Sequence, residues 1–408
     1  MKLAPSIVAA AVSLAVSAPS WAARQDFQVG SRAKGMGGSY TAFGDDPVAV
    51  WTNPAGTAAQ PSQLAITYQS FTEYEFNHVG DQISPDMFGA PKQGLLDPPI
   101  SPSFAGVVVQ LGDSDLEMAA SLAYIRPFQI KYVYFFNGAA LNPPDNDLLT
   151  QTDQQFSRIR AAYALSFKLS ESSPFFKRLA VGVGLDYVYT TYKEIDQNTD
   201  PNRDSQVYED SQSAVGFGAG LLATLYESGS FMVDAGVAYN SKVHFHFALD
   251  TNIFPVWDWP ALASGGLAFY FMEGYPLRIT ADAQWIGWKR AVGAPAPGFS
   301  GFENTVSYSA GAEYRVPIKS TAWLYPRVGL KSYDTPWQNK NNLPALGLSQ
   351  LQIQTKADRQ EILTTGLGLY WSRKTWEGET RLSGIDLAAE FFGDAKFLVG
   401  IGFTYQFD

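Results

Sequence analysis

The C-terminal segment AKFLVGIGFTYQFD, residues 395–408, alternates strictly between two kinds of residue. Every second position from Phe397 to Phe407 is large and apolar, whereas the positions between are small or polar apart from Leu398. A period of two is typical of a β-strand with two different faces. A soluble sandwich buries such a bulky face and a barrel in lipid turns it outward, so this strand alone leaves both architectures open.

The same two-faced pattern recurs along the chain. In LAVGVGLDYVYTTY, residues 179–192, Leu, Val and Tyr occupy one face, and Ala, Gly, Thr and Asp186 occupy the other, with Val188 as the exception. Charged residues of later segments also fall on one face: Asp234, Arg278, Asp282, Glu313, Arg315, Asp386 and Glu390. An apolar face backed by a small, polar and charged face indicates a barrel with lipid outside and a polar lumen inside.

About fourteen such segments can be counted, an even number as is usual for single-chain bacterial barrels. They span roughly 63–75, 102–111, 116–128, 155–169, 179–192, 212–226, 230–248, 261–271, 276–289, 304–316, 322–333, 360–372, 381–392 and 395–407. Short turns follow the second, sixth, eighth and tenth segments, whereas long polar loops (77–100, 129–154, 193–211 and 334–359) follow most odd-numbered ones. This alternation favours an all-β, transmembrane antiparallel β-barrel over a secreted sandwich.

Composition argues against several function classes. The chain contains no cysteine, so we expect neither disulfides nor a Cys-ligated metal. The net charge of −10 opposes the basic surface that nucleic-acid binding requires, so nucleic acid is not an expected partner. Three histidines occur: His244 and His246 form an H-x-H pair assigned to one face of the seventh segment, and His78 lies in a distant loop. With no G-x-S-x-G elbow either, we expect no metal site and no enzyme.

The N-terminus is expected to contain two parts before the barrel. Residues 1–22 combine a basic Lys2, an apolar core from Ile7 to Val16 and a small-x-small site at Ser20-Trp21-Ala22, which is typical of a secretory signal peptide. Residues 23–62 are too few for an independent domain, and the barrel itself is assigned to residues 63–408. We expect 23–62 to form a plug in the lumen, since a barrel of this size is otherwise an open pore.

The stretch SRAKGMGGSYTAFGDDPVAVWTNPAG, residues 31–56, contains a glycine run at Gly35, Gly37 and Gly38 and closes on Asn53, Pro54 and Ala55. No strand precedes the glycines, which disfavours a dinucleotide-binding loop. Together with the Ala-Phe-Gly-Asp-Asp segment at 42–46, the stretch resembles the N-terminal hatch of the FadL-type outer-membrane transporters. ADAQWIGWKRA, residues 281–291, and YPRVGLKSYDTPW, residues 325–337, are similar to two strands of the same family.

This resemblance implies a fourteen-stranded barrel blocked by a hatch, in the outer membrane of a Gram-negative-type bacterium. It implies passive passage of hydrophobic small molecules, long-chain fatty acids or aromatic hydrocarbons, which are caught by apolar loop patches and released sideways into the bilayer. No cofactor is needed, and the expected partners are outer-membrane lipid, the hydrophobic ligand and the barrel-assembly machinery that inserts the chain. Scaffold-like relatives share the hatch motif, so a barrel that supports protein secretion or surface attachment is the alternative.

Pro127 interrupts the third segment, SLAYIRPFQIKYVYFF. A proline cannot donate to the strand ladder, so it weakens pairing and can bend a strand. The resemblance makes Pro127 the candidate for the lateral gate, because a kinked third strand forms the exit in the family. The alternative is that the strand simply ends here and that the chain is loop from Gln129 onward.

Two groups of aromatic residues in expected loops are candidate hydrophobic ligand contacts. They are Phe128, Tyr132, Tyr134, Phe135 and Phe136 in one loop and Trp257 and Trp259 in another. Dense aromatics are costly to leave in water, so they either cover the barrel mouth or form a landing site. Membership of the aromatic belt at the membrane interface is the alternative.

Six charged residues are expected to point into the lumen: Asp186, Arg278, Asp282, Glu313, Arg327 and Asp386. Barrel interiors are usually lined in this way, so these residues are expected to anchor the plug rather than to guide solutes. Arg32, Lys34, Asp45 and Asp46 are the matching charges on the plug.

Overall fold

A computed structural model describes most of the chain beyond residue 26. The described residues are 27–69, 71–72, 74–77, 88–89, 93–94, 102–112, 116–127, 129–136, 148–170, 172–198, 206–247, 256–274, 276–294, 303–334, 341–342, 352–353, 359–374, 380–392 and 396–407. The predicted signal peptide, residues 1–22, and His78 lie outside these ranges. Within them, no helix is both long and apolar enough to cross a membrane.

Fourteen antiparallel strands form one closed barrel, as predicted. They are β1 Gln63–Gln69, β2 Phe104–Gln110, β3 Leu116–Ile125, β4 Leu148–Lys168, β5 Phe175–Asn198, β6 Gln206–Glu227, β7 Phe231–Asn240, β8 Leu262–Phe271, β9 Leu277–Ile286, β10 Thr305–Tyr314, β11 Ala322–Asp334, β12 Arg359–Lys374, β13 Thr380–Phe392 and β14 Lys396–Gln406. Each strand pairs with its neighbours in chain order. The register of β14 on β1, from Gln406 opposite Gln63 to Gly400 opposite Gln69, closes the ring.

Four further segments belong to the same hydrogen-bonded sheet: Tyr74–Asn77, Phe88–Gly89, Gln129–Phe136 and Val316–Lys319. Three short ribbons lie outside it and pair Phe71–Thr72 with Gln93–Gly94, Val256–Trp257 with Val292–Ala294, and Asn341–Asn342 with Gln352–Ile353. The tenth segment was expected to turn at residues 317–320, but Val316–Lys319 continues it as a strand against β11.

The outer wall of the barrel is apolar. In β5 the outward side chains of Val183 and Leu185 are 62% and 70% exposed, whereas Gly182 and Gly184 between them face inward. Exposed Leu, Val, Ile and aromatic residues recur on most of the other strands. Such a surface is unfavourable in water and is the one that a barrel presents to hydrocarbon.

Strands β4, β5 and β6 are 21, 24 and 22 residues long, about twice what a bilayer requires. The prediction of loops over 129–154 and 193–211 was therefore wrong in large part, since 129–136, 148–154, 193–198 and 206–211 are strands. The reason is physical: beyond the lipid the outer face of a strand is polar, so the apolar alternation that reveals the strand stops although the hydrogen-bonded ladder continues.

Strand β7 ends at Asn240, so the predicted extent of 230–248 was too long. His244 and His246 therefore lie in the following segment and not on a strand face. After Asn240 the chain turns into the barrel, where Val243 forms an antiparallel bridge with Trp259 and is buried. Val243 and Phe245 in this segment are apolar, buried and two residues apart. This spacing is the same as on one face of a strand, which explains why the sequence predicted a strand that was too long.

Residues 27–60, called the inner segment below, contain three short helices: α1 Ser31–Gly35, α2 Ala49–Thr52 and a 3₁₀ turn Pro54–Thr57. The segment follows the inner wall from strand to strand. It starts at β14, where Ser31 lies against Gly400 and Gly402, and ends at β5, where Ala55 lies against Gly182. Nearly all of its side chains are buried. A second 3₁₀ turn, Trp288–Arg290, follows β9.

Candidate ligand chamber inside the barrel

Glycines allow the inner segment to touch the wall. Gly37 has φ +70°, and a Cβ at this position would lie 2.7 Å from the carbonyl oxygen of Leu330 and 2.9 Å from that of Ala310. On the wall, a Cβ at Gly311 would lie 2.3 Å from the carbonyl oxygen of Met36. Only glycine permits this approach of backbone to backbone. The hatch glycine Gly35 lies against Gly366 of β12 in the same way, and Gly38, at φ +81°, lies against Gln28.

The Asn-Pro-Ala motif ties the inner segment to β6 and starts the 3₁₀ turn. The side-chain amide nitrogen of Asn53 donates to the carbonyl oxygens of Thr41 and Leu221, at 2.8 and 2.9 Å. Its Oδ1 accepts from the backbone N–H of Ala55, which caps the turn, while Pro54 occupies the first turn position, where no N–H is needed. Asn53 thus satisfies backbone groups of the segment and of the wall at once.

A network of buried ion pairs joins the inner segment to β9, β10, β11 and β13. Glu313 accepts from Arg32 at 2.8 and 3.0 Å, from Arg327 at 2.6 Å and from Arg278 at 3.2 Å. Arg327 also donates to Asp386 at 2.5 Å. Four of the six predicted luminal charges belong to this network: Arg278, Glu313, Arg327 and Asp386. Asp282, the fifth, also contacts the inner segment, because it accepts from the backbone N–H groups of Tyr40 and Thr41. Asp186, the sixth, lies elsewhere in the lumen.

The charges of the inner segment complete the network. Arg32 donates to both oxygens of Asp45, and Lys34 lies 3.2 Å from Glu390, which also pairs with Lys331. Burial by itself lowers the pKa of Arg32. The negative charges of Asp45 and Glu313 raise it by more, so the pKa of Arg32 lies well above its ordinary value. Burial raises the pKa of Asp46 to about 6, against the opposing effects of Arg32 and of the hydrogen bond from Tyr40.

On the other side of the inner segment lies a cluster of six buried aromatic rings, called the aromatic cluster below: Phe27, Trp51, Phe156, Trp257, Trp259 and Trp288. Trp259 is central to it, with ring centroids 5.6 Å from Phe27, 5.8 Å from Trp51 and 6.0 Å from Phe156. Trp288, from the 3₁₀ turn after β9, packs edge-on against Trp257 at 5.2 Å. Inner segment, wall and two loops therefore line one apolar region of the lumen, called the chamber below, which the rings fill by packing against one another.

Trp257 and Trp259 reach this chamber because their loop folds inward. The side-chain amide of Gln154 in β4 clamps the backbone of Trp257, accepting from its N–H and donating to its carbonyl oxygen at 3.0 and 2.9 Å. Between the two tryptophans, Asp258 is buried and pairs with His244 and Lys242 at 2.6 and 2.9 Å. The two tryptophans were expected in an outward loop or at the membrane interface, and the structure buries both of them instead.

Arg158 places a cation at the centre of the aromatic cluster. It is fully buried, and its guanidinium carbon lies 4.2 Å from the ring centroid of Trp259 and 5.2 Å from that of Trp51. The carboxylate of Asp186 lies 3.6 Å away but is bound in two-pronged fashion by Arg160, at 2.7 and 2.8 Å. None of the three guanidinium nitrogens of Arg158 donates a hydrogen bond to any described residue.

The wall beside this chamber contains an irregularity at Arg126 and Pro127, called the third-strand break below. Strand β3 ends at Ile125, opposite Arg158, and pairing with β4 resumes at Gln129, opposite Gln155. Three residues on one side thus face two on the other, which is a β-bulge. The third strand continues as Gln129–Phe136, so the alternative that it ends at Pro127 and is loop from Gln129 onward is wrong. Phe156, opposite the break, points into the aromatic cluster.

The other candidate ligand contacts cannot be placed. Phe128 lies outside the described residues, as do the side chains of Tyr132, Tyr134, Phe135 and Phe136, whose backbone belongs to the strand Gln129–Phe136. Their role stays a prediction. Arg158, Trp51 and Phe156 were not predicted from the sequence. The pattern QFSRIR, residues 155–160, did contain a signal, because Arg158 and Arg160 alternate with apolar Ile159 and Ala161 and so share the inner face.

Among the residues described, no group of three or more His, Asp or Glu side chains could hold a metal ion. The rings of His244 and His246 meet edge-on with centroids 4.6 Å apart, and Nδ1 of His244 lies 2.6 Å from the carboxylate of Asp258. The chamber is lined by aromatic rings, apolar side chains and the guanidinium of Arg158.

No family model matches the chain, and no curated protein matches it. Solved structures do. A Pseudomonas aeruginosa FadL homologue has 15% identity over 94% of this chain and 100% of its own, with a TM-score of 0.53. The Ralstonia pickettii toluene transporter TbuX has 13% identity over 94% and 99%, with a TM-score of 0.53. The P. putida toluene transporter TodX has 14% identity over 93% and 99%, with a TM-score of 0.52.

The closed barrel, its number of strands and the near-complete coverage of these solved structures define the class of fold. The chain is an outer-membrane-type β-barrel of fourteen strands. More particularly, the chain has the fold of the FadL-type channels, and the resemblance drawn from its hatch and strand motifs is confirmed at the level of fold.

Proposed function

We propose that this chain is an outer-membrane channel through which hydrophobic small molecules pass without an energy source, entering the aromatic cluster and leaving sideways through the wall. The single observation that carries the proposal is that the aromatic cluster lies directly behind the third-strand break. The relatives of like fold that are named toluene transporters support it. The proposal includes export directed by residues 1–22, insertion by barrel-assembly machinery and a plug formed by the inner segment.

The axial route to the other end of the barrel is unfavourable for an apolar molecule. Below the chamber the lumen holds the inner segment and its buried ion pairs, among them Arg32 with Glu313 and Arg327 with Asp386. Moving an apolar ligand through this layer requires breaking these pairs and leaving charges without partners, which costs several kcal/mol for each. The inner segment therefore acts as a plug for this class of ligand.

The sideways route crosses a surface that is apolar in large part. At the third-strand break the inward residues include the fully buried Phe104, Ile125 and Phe156, beside the polar Gln69, whose amide donates to the carbonyl oxygen of Pro127. The outer face of the same strands is the apolar wall that faces hydrocarbon. A ligand that leaves here exchanges one apolar environment for another, so its transfer needs no compensating interaction. Pro127, which has no N–H to donate, keeps the ladder weak at this point.

Arg158 favours fatty acids over plain hydrocarbons as the ligand. A guanidinium is built to bind a carboxylate through two parallel hydrogen bonds, and here its donors have no acceptor among the described residues. The rings on both sides of it suit an alkyl tail. Toluene offers Arg158 no acceptor, whereas a long-chain carboxylate satisfies the guanidinium and packs its alkyl tail against the neighbouring rings.

Uptake of a labelled long-chain fatty acid by cells with and without the gene tests the proposal. We expect faster uptake with the gene, and no change with a scaffold for secretion or surface attachment. Cells that express Arg158→Met serve as the internal comparison, because the barrel is present but the carboxylate partner is lost. Equal uptake in all three strains would contradict transport.

A further inference from the structure

A cavity of about 20 Å³ lies between the inner segment and strands β9, β10 and β11. A space of this size holds a water molecule, which needs about 10–15 Å³. Most of its wall is polar and includes the side chains of Gln28, Thr41, Asp282, Gln284, Ser307 and Ser309. Phe27 also lines it and packs against Trp259 and Trp288, so the cavity borders the aromatic cluster. The lumen at this height therefore has an apolar side and a polar side.

The polar side chains that β9 and β10 contribute to the cavity are not fully covered. Gln284, Ser307 and Ser309 are partly exposed although they point into the lumen. Inward residues on other strands, such as Thr190 on β5 and Thr364 on β12, are fully buried. The inner segment thus packs tightly against those parts of the wall and leaves room for water against β9 and β10.

From the cavity towards the short turns, the inner face of β9 stays polar. Its successive inward residues are Gln284, Asp282, Thr280 and Arg278, spaced about 7 Å apart. Oδ1 of Asp282 and Oγ1 of Thr280 are buried and have no hydrogen-bond partner among the described residues. Such groups in proteins are usually satisfied by water. Arg278 pairs with Asp45, whose side chain is 42% exposed, so the row of polar groups reaches solvent at the turn end of the barrel.

On β10 and β11 the inner segment touches the wall at the same level. A Cβ at Gly311 would lie 2.3 Å from the carbonyl oxygen of Met36, and one at Gly329 would lie 2.2 Å from the backbone nitrogen of Gly37. Gly311 is opposite Thr280 in the ladder between β9 and β10. The polar row of β9 therefore passes beside a contact that closes the lumen along the next two strands.

We propose that water crosses the barrel beside the inner segment, through the polar cavity and along the inward side chains of β9. Water follows this row without breaking the ion pairs of the lumen, because it hydrogen-bonds to charged and polar groups that an apolar molecule would leave without partners. Thr280, which is 1% exposed and level with the contact at Gly311, is the narrowest point of the route. This permeability goes beyond the transport of hydrophobic molecules and does not depend on it.

The route is tested first with a thiol placed in the cavity. Because the chain has no cysteine, Ser309→Cys creates a single thiol there. Barrels are reconstituted in phosphatidylcholine vesicles, and shrinkage in an osmotic gradient is followed by light scattering. We expect the original protein to raise the water permeability above that of protein-free vesicles and to be insensitive to Hg²⁺. In Ser309→Cys, Hg²⁺ should reduce the permeability to the protein-free level, and excess dithiothreitol should restore it.

The matched control is Ala310→Cys, because Ala310 is the next residue of β10 and is exposed on the outer wall. Hg²⁺ should leave the permeability of this variant unchanged. Equal block of both variants overturns the proposal, since it assigns the effect to mercury bound outside the lumen. Absence of block in Ser309→Cys overturns passage through the cavity, and an original protein no more permeable than protein-free vesicles overturns the proposal as a whole.

A second variant tests the lower part of the route. Thr280→Val keeps the shape of the side chain and removes its hydroxyl, so it should lower the water permeability about two- to tenfold, the effect of one hydrogen bond. Thr67→Val is the control, because Thr67 is an inward, buried threonine on β1, away from the cavity. Equal permeability of these two variants overturns the route along β9. Retention of heat-modifiable mobility on gels verifies that each variant is a folded barrel.

Fatty-acid uptake by cells with and without the gene is measured separately. Water permeability without uptake supports the polar route and contradicts the proposed function. Uptake without water permeability overturns the polar route and leaves the proposed function intact.

Discussion

The guanidinium carbon of Arg158 lies 4.2 Å from the ring centroid of Trp259, and both side chains are fully buried. Stacking on an aromatic face offsets part of the cost of burying the charge, and the long contact with Asp186 offsets more. Neither the ring of Trp259 nor the carboxylate of Asp186 accepts a hydrogen bond from the N–H groups of Arg158. The proposed function assigns these N–H groups to the carboxylate of a ligand.

Arg158→Met should weaken binding of a long-chain fatty acid by about ten- to a hundredfold, since hydrogen bonds to charged groups contribute about 1.5–3 kcal/mol. Methionine preserves apolar packing against Trp259. The fatty alcohol of the same chain length serves as the control ligand, and its affinity should change little. Tryptophan fluorescence titration of the purified protein in detergent measures both. An equal loss for acid and alcohol would mean that Arg158 supports the chamber and does not recognise the carboxylate.

Pro127→Val should slow the uptake of hydrophobic probes while leaving the barrel folded. Valine supplies an N–H and prefers an extended backbone, so it strengthens the ladder at the third-strand break. Pro326→Val is the matched control, because Pro326 is an outward-facing residue within β11 whose pairing with β12 is uninterrupted. Probe uptake by whole cells gives the comparison. Unchanged uptake in Pro127→Val would remove the break from the exit route.

Glu313→Gln should lower the free energy of unfolding by about 3–5 kcal/mol, because it leaves Arg32, Arg278 and Arg327 without their shared carboxylate. Asp334→Asn, which breaks the exposed pair with Arg359, should cost less than about 1 kcal/mol. Urea unfolding of the barrel in lipid vesicles, followed by tryptophan fluorescence, gives both values. Similar costs for the two variants would show that the network contributes no more than a surface pair.

Gly37→Ala should displace the inner segment and raise the ionic conductance of the barrel in a planar bilayer. The added Cβ would meet the carbonyl oxygens of Leu330 and Ala310 at less than 3 Å, and φ of +70° disfavours any residue but glycine. Gly229→Ala is the control, since a Cβ there would have no atom within 4 Å. If both variants conduct like the original protein, the inner segment does not close the lumen through this contact.

Asp46 should make stability depend on pH below neutrality. Burial raises its folded pKa from 3.8 to about 6, so between these values the folded state binds the proton more strongly than the unfolded state. Its contribution to stability is therefore fully present below pH 3.8 and is lost as the pH rises through about 6. Asp46→Asn removes this slope, because the neutral amide imitates the protonated acid at every pH. Unfolding free energies of the two proteins, measured from about pH 4 to about pH 7, should converge at the acidic end. Parallel curves would contradict the assignment.

The strand number and the polarity of the two faces followed from local pattern. Alternation as in residues 179–192 is a property of a few consecutive residues, because side chains of a strand point to opposite sides whatever the partner strand is. The inward direction of Asp186 and Arg327 followed from the same rule. The pattern failed to reveal the strands at 148–154 and 193–198, because a strand that extends beyond the lipid needs no apolar outer face. It also extended the seventh strand wrongly over 241–247, where alternate apolar residues are buried in a segment that folds inward.

Amino-acid sequence by itself thus determined a two-faced, fourteen-stranded barrel, since the period of a strand is a local property. Tertiary structure alone decided which side chains meet. Arg158 joins Trp51 and Trp259 only because the ring closes around the inner segment and a loop folds back into it. Such contacts join residues far apart in the chain, and their geometry depends on register and closure, which no short stretch of sequence encodes.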